Sequence, residues 1–230
     1  MTEDEWLSGT DVRAMLESLG RTLSERKARL FAVACCRPEL FRDPRSLRVL
    51  EVAERHADGL AGDDEWMEIG SLRMDVEEPG RLGSAVYWAA ESDVAPAFFA
   101  SRASFYARSV SWEWLGELSA EEQEQAWDAI DEDESQPELG LDLDGPQADL
   151  LREIVGNPFR PAAFDPAWLR PEVTSLAQAI YEDRAFGRMP ELAAHLERAG
   201  CTDRDILDHC RRAGGHVRSC WVLDAVLARR

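Results

Sequence analysis

Asp43 is followed at once by Pro44, and then by Leu47, Leu50, Ala53 and Ala57, apolar residues three and four apart. An acid or hydroxyl residue, a first turn that accepts proline, an apolar stripe at helical spacing and a terminal glycine or proline together make the pattern of a capped helix. The pattern recurs along the whole chain. Thr2 stands three residues before Glu5 in "TEDEWL", the spacing of a capping box. Thr10 or Asp11 opens "TDVRAMLESLG", with Met15, Leu16 and Leu19 as the stripe and Gly20 as the stop. Ser24 opens "SERKARLFAVACCRP", which must end by Pro38; Leu30, Phe31, Val33, Ala34 and Cys35 make it apolar over most of its girth, as a central helix requires. The stripe that begins at Asp43 continues, with Val49 beside Leu50, as far as Leu60.

Further along, "SAVYWAAESDVAPAFFASRASFYARSVSWEWLGEL" reads as one or two helices, interrupted where Pro96 lacks a backbone donor. "SAEEQEQAWDAIDEDE" reads as a very acidic helix capped by Ser119. "SQPELGLDLDGPQ" has proline, glycine and acids without periodicity, and is the natural linker, near 135–147. "ADLLREIVGNP" then ends at Gly156 and Pro158, and Asp165 with Pro166 restarts a helix. "TSLAQAIYEDRAFG" places Leu176, Ala179, Ile180 and Ala185 or Phe186 on one face and stops at Gly187; "MPELAAHLERAG" runs from Pro190 to Gly200. Two helices flank the "AGG" after Arg212, and no long stretch alternates with period two. The expectation is an all-α fold, an irregular multi-helix bundle in one domain. Its N-terminal block (1–60) and C-terminal block (148–230) pack together, with a variable acidic helical segment (61–147) between them.

Charge separates these three parts. Residues 1–60 carry ten Lys or Arg against eleven Asp or Glu, and residues 148–230 carry twelve against twelve. Residues 61–147 carry four against twenty-two, so nearly the whole net charge of −19 lies in the middle. Such a segment repels nucleic acid, whose phosphates need cations, and an anionic membrane surface for the same reason. A basic protein is attracted and steered. Within residues 84–147 the residues suited to that role are the acids Glu121, Glu122, Glu124, Asp131, Glu132, Asp133 and Glu134, with Trp112, Trp114 and Trp127 as anchors. Tyr87, Trp88, Phe98 and Phe99 fit a core better. No apolar run is long enough to cross a bilayer, and the acidic start "MTEDEWLSGTD" is not a secretory signal. Reduced thiols in a cytoplasm are therefore expected for the five cysteines.

Those cysteines raise the one question of chemistry. "CRRAGGHVRSCWVLD" sets Cys210, His216 and Cys220 within eleven positions, with His209 and Cys201 just upstream. Two ligands from each of two helices, His209 with Cys210 and His216 with Cys220, would suit zinc. The spacing matches no familiar zinc module, and there is no CxxC. Core packing accounts for the same sulfurs. Thr202 and Asp205 make a capping-like pair with Cys201 and Ile206 as its staple, Cys210 continues the stripe of Ile206 and Leu207, and Cys220 that of Val217, Leu223 and Leu227. A redox-active thiol at Cys210 or Cys220 is a further option, as is a Cys–His pair using His216 across the turn. Gly215, His216 and Arg218 offer an anion cradle at a helix start. Cys35 and Cys36 are adjacent, and a strained vicinal disulfide is less suited to them than two packed thiols. His56 and His195 have apolar neighbours at helical spacing and suit half-buried structural places. No phosphate loop, HExxH or GxSxG occurs, so no catalytic residue is assigned.

The segments "MTEDEWL", "KARLFAVACCR", "VLEVAERHADGLA", "DLLREIVGNPFRP", "AQAIYEDRAFGRMPELAAHLERAGC" and "HVRSCWVLDAVL" resemble a family of uncharacterised bacterial proteins often present in several copies per genome. The resemblance covers roughly residues 1–60 and 148–230. It implies a middle that is Ala-rich, helical and variable in length, whereas here the middle is aromatic and acidic, and it implies no activity, cofactor or catalytic residue. A shared helical scaffold that displays a changeable surface follows from both lines. The leading expectation is a non-enzymatic adaptor or immunity-like module for a basic protein partner, with no cofactor. The alternatives are a zinc-stabilised protein or metal-dependent enzyme built on His209, Cys210, His216 and Cys220, and a thiol redox sensor.

Overall fold

A computed structural model describes residues 1–36, 43–75, 80–91, 95–97, 100, 102–103 and 144–229. Among these residues the fold is all-α, with no β-strand. In chain order the helices are α1 (Glu3–Ser8), α2 (Val12–Leu19), α3 (Glu25–Cys35), α4 (Pro44–Ala57), α5 (Asp63–Leu72), α6 (Gly80–Ala89), α7 (Asp144–Val155), α8 (Pro171–Glu182), α9 (Met189–Arg198), α10 (Arg204–Arg211) and α11 (Trp221–Val226). None of them is long and apolar enough to cross a membrane.

Four helix starts are capped as the sequence announces. Thr2 and Glu5 exchange backbone-to-side-chain hydrogen bonds at the start of α1. Asp11 accepts from the Ala14 N–H, Ser24 from Lys27 and Asp43 from Arg45. Other termini differ from expectation, and Asp165 with Pro166 opens only a three-residue 3-10 turn, Pro166–Trp168. Helix α8 stops at Glu182 rather than Gly187, and Arg184 takes the left-handed turn, at φ 51°. Helix α7 already begins at Asp144, inside the stretch that reads as a linker. The rest of that stretch lies outside the described residues, as do Phe98 and Phe99 and the proposed acidic helix after Ser119.

The chain divides into two compact units. The first comprises Met1 and residues 9–148. Here α3 packs on α4, α4 on α5, and α6 on both α3 and α4. Met15, Leu16, Leu30, Phe31, Val49, Val52, Ile69 and Val86 are buried. So is Arg29, which donates to the Ala89 carbonyl and to Glu25, with its guanidinium 4.7 Å from the Trp66 ring centroid. His56 is half-buried and stacks on the same indole, 3.8 Å away. Tyr87 and Trp88 are also half-buried, edge to face. The buried face of α4 takes in Val49, Leu50 and Ala53 of the expected stripe together with Ser46, Val52 and Glu54, while Leu47 and, beyond the helix end, Leu60 are 40% and 57% exposed.

The second unit comprises Thr2–Ser8 and residues 149–230. Helix α9 packs on α8 and α10, and α11 on α8 and α10. Their shared core includes Val173, Ile180, Leu192, Leu196, Ile206 and Leu223, together with Cys201, Cys210 and Cys220. Trp6 of α1 is fully buried, and its indole N–H donates to the Gly156 carbonyl at 3.1 Å. Arg152 in turn donates to the Trp6 carbonyl, and Glu3 receives Asn157 and Arg160.

Candidate functional site

The second unit gathers the polar side chains of interest around one buried carboxylate. Glu153 projects from the last turn of α7 and His209 from the last turn of α10. His216 and Cys220 come from the connection between α10 and α11. The sequence suggests that His216 and Cys220 share a helix face. They do not, because residues 212–220 are not helical. Gly214, Gly215 and Ser219 adopt φ 79°, 76° and 69°, and these left-handed turns fold the connection back over the end of α10. Cys220 sits at the N-cap position of α11 and makes no side-chain capping bond. Its sulfur faces His209 instead, 3.1 Å from Nε2.

One ligand atom from each of Glu153, His209, His216 and Cys220 lies within 4.8 Å of all the others. His216 Nδ1 is 2.9 Å from Glu153 Oε1, and His209 Nε2 is 3.4 Å from the same oxygen. The other carboxylate oxygen, Oε2, accepts from the Arg212 guanidinium. Glu153 and Cys220 are 2% and 0% exposed. Burial by itself raises a carboxyl group, but hydrogen bonds from His209 and His216 outweigh it and bring Glu153 down to about 2.

Proton positions follow from donors that have no alternative. An indole N–H only donates, so the contact from Trp221 Nε1 to His209 Nδ1, at 3.1 Å, makes Nδ1 an acceptor. The proton of a neutral His209 therefore sits on Nε2, facing Glu153 and Cys220. His216 Nε2 lies 3.2 Å from the Arg212 carbonyl and donates to it in the tautomer protonated there. In that tautomer Nδ1 faces a carboxylate oxygen, 2.9 Å away, as a second acceptor, a contact that calls for a cation between the two. Either a proton or a metal ion meets the need.

This arrangement disfavours nucleophilic catalysis. A base for Cys220 needs a free lone pair directed at sulfur, and His209 presents an N–H there. Burial also pushes the Cys220 thiol well above its ordinary value, and Cys210 and Cys36 up to about 12. A reactive thiol has the opposite surroundings, exposed and electropositive. All five cysteines are free and buried, Cys35 and Cys36 included.

Of the four zinc-ligand residues suggested by sequence, the structure brings three together and replaces the fourth. Cys210 points into the apolar core, away from its neighbour His209, as the roughly 100° step between adjacent helical residues demands. Glu153 takes the vacated place. Its mark in the sequence is slight, an acid between Arg152 and Ile154 near the helix end. The staple also differs, since Asp203 rather than Thr202 caps α10, although Cys201 and Ile206 are both buried. Gly215, His216 and Arg218 do not form a cradle at a helix start. Helix α11 begins only at Trp221, and the Arg218 guanidinium lies 4.8 Å from the Tyr181 ring centroid. Trp112, Trp114, Glu121, Glu122, Glu124, Trp127, Asp131, Glu132, Asp133 and Glu134 lie outside the described residues.

Comparison with protein families, with curated proteins and with solved structures gave no match.

Proposed function

We propose that this chain is a non-enzymatic interaction module, an adaptor or immunity-like protein, that binds a basic protein partner through its acidic middle segment. The observation that carries the reading is the placement of charge: twenty-two acids against four cations in residues 61–147, between two balanced blocks. Long-range attraction of that size accelerates encounter with a cationic surface and rejects anionic ones. The described part of the segment supports the reading. On α5 the exposed residues Asp64, Met67, Glu68 and Ser71 recur at helical spacing, with Met67 64% exposed and Met74 just beyond it 68% exposed. Methionines among acids give a basic amphipathic helix both an adaptable apolar contact and opposite charge. Five free thiols support a reducing, cytoplasmic setting.

The experiment compares the whole chain with a variant in which Glu121, Glu122, Glu124, Asp131, Glu132, Asp133 and Glu134 are replaced by Gln or Asn. A partner captured by the wild type is identified and titrated against both proteins at low and high salt. The expected result is a basic partner whose affinity falls with salt and drops at least about tenfold in the neutralised variant. Equal affinity for both proteins overturns the proposal.

A further inference from the structure

We propose that Glu153, His209, His216 and Cys220 bind one divalent transition-metal ion of zinc's class, through Oε1, Nε2, Nδ1 and Sγ respectively. The inference is independent of the acidic segment, since all four residues belong to the second unit.

Geometry is the first support. Bond lengths of roughly 2.0–2.3 Å to nitrogen, oxygen and sulfur place the ligand atoms of a tetrahedral zinc about 3.3–3.7 Å apart. His216–Glu153, His209–Cys220 and His209–Glu153 are 2.9, 3.1 and 3.4 Å apart, so these pairs need to shift by only a few tenths of an ångström, and every pair of the four ligand atoms lies within 4.8 Å. Charge is the second. One carboxylate and one thiolate neutralise a divalent ion, whereas a buried site with fewer anions would hold an uncompensated charge. Arg212 engages only Oε2, which leaves Oε1 for the ion.

The surrounding hydrogen bonds supply the third support. A metal-bound histidine characteristically donates its other N–H to a carbonyl or carboxylate, and His216 Nε2 already faces the Arg212 carbonyl. His209 is different. For Nε2 to bind an ion, its proton must move to Nδ1, where the Trp221 N–H now points. Glu153, His216 and Cys220 are thus ready ligands, and His209 joins them when the indole gives way. Loading sends the Cys220 thiol proton and the His216 Nδ1 proton to solvent, and the His209 proton changes nitrogen. The way in lies beside Arg212, whose side chain is 52% exposed while those of its neighbours Glu153 and His216 are each 1% exposed.

The test uses the full chain stripped of metal, then titrated with Co(II) or incubated with one equivalent of Zn(II) and desalted. The expected result is one tightly held ion, with the near-ultraviolet thiolate-to-cobalt absorption and the visible bands of a tetrahedral complex. Cys220→Ser abolishes the thiolate band, Cys210→Ser retains it, and His216→Ala weakens binding by more than about 100-fold, the upper end of what losing an outer-shell partner costs. Trp221→Phe removes the competing donor and tightens binding about fivefold, the equivalent of one hydrogen bond. Should Cys220→Ser fail to fold, the wild-type spectrum decides. A folded wild type that retains less than about a tenth of an equivalent of zinc, or that shows no thiolate band, overturns the site. Survival of the band in Cys220→Ser does the same, and weaker binding by Trp221→Phe overturns the role of His209.

Discussion

A methyl group placed on Gly156 would lie 3.1 Å from Cγ of Trp221 and 3.3 Å from its Cδ2. The same glycine has φ +76°, in the left-handed region that a side chain disfavours. Gly156→Ala therefore meets both backbone strain and a close contact that the half-buried indole must shift to relieve. Its expected cost is about 1–3 kcal/mol, measured by urea unfolding. A loss below about 0.5 kcal/mol, within the range of ordinary surface substitutions, would mean that the indole moves freely.

Trp6 separates a packing contribution from a hydrogen bond. Its ring is fully buried and its N–H donates to the Gly156 carbonyl. Trp6→Phe keeps most of the apolar contact and loses the donor, at a cost of about 1 kcal/mol. Trp6→Ala leaves a cavity, at a cost of about 3–5 kcal/mol. Denaturant midpoints of the two variants should differ in that order. Equal losses would show that the hydrogen bond, not the ring, dominates.

Thiol labelling tests the sulfur assignments. With Cys36 and Cys210 pushed up to about 12 by burial, the thiolate fraction at pH 8 is ~10³-fold below that of a free cysteine. An aromatic disulfide reagent should leave all five cysteines unreacted in native buffer and label them promptly in urea. Fast native labelling of Cys210 or Cys220 would restore the redox-sensor reading.

Glu65 gives the first unit a defined response to acid. A hydrogen bond from Arg55, joined by one from Arg48, holds its carboxyl below the ordinary 4.5. A lowered folded value means that Glu65 stabilises fully above the unfolded value near 4.5, and that this contribution disappears as pH falls through the folded one. Glu65→Gln should lower the Tm at neutral pH, with the gap closing below about pH 4.5. Added salt should narrow the neutral-pH gap, because the arginines are partly exposed. A gap that stays constant down to pH 3 would show that the pair does not govern it.

The starts of α1 to α4 were legible because capping is local. Ser24, Asp43 and the Thr2–Glu5 pair act on backbone groups two or three residues away, so sequence distance and spatial distance coincide. The edges of the buried face of α4 were less legible. Val49, Leu50 and Ala53 are covered as the stripe expects, but Leu47 is outside and Ser46 and Glu54 are inside because the packing of α3, α5 and α6 against α4 sets how far the cover extends. At the carboxylate cluster, three of the four residues fall within twelve positions and invite comparison by eye. Glu153 comes from another helix and is one acid among forty-five. The paired roles of His209 and His216 depend on where the connection turns back, and Ser219 in the left-handed region has no marker that a sequence pattern reads.

Because α1 belongs with residues 149–230, the second unit is interrupted in sequence by residues 9–148. During synthesis α1 leaves the ribosome before the helices it packs with. At about 5–20 residues per second the wait is roughly 7–30 s. Throughout that interval the indole of Trp6 has no native groove to enter, and a chaperone or a neighbouring nascent chain can reach it.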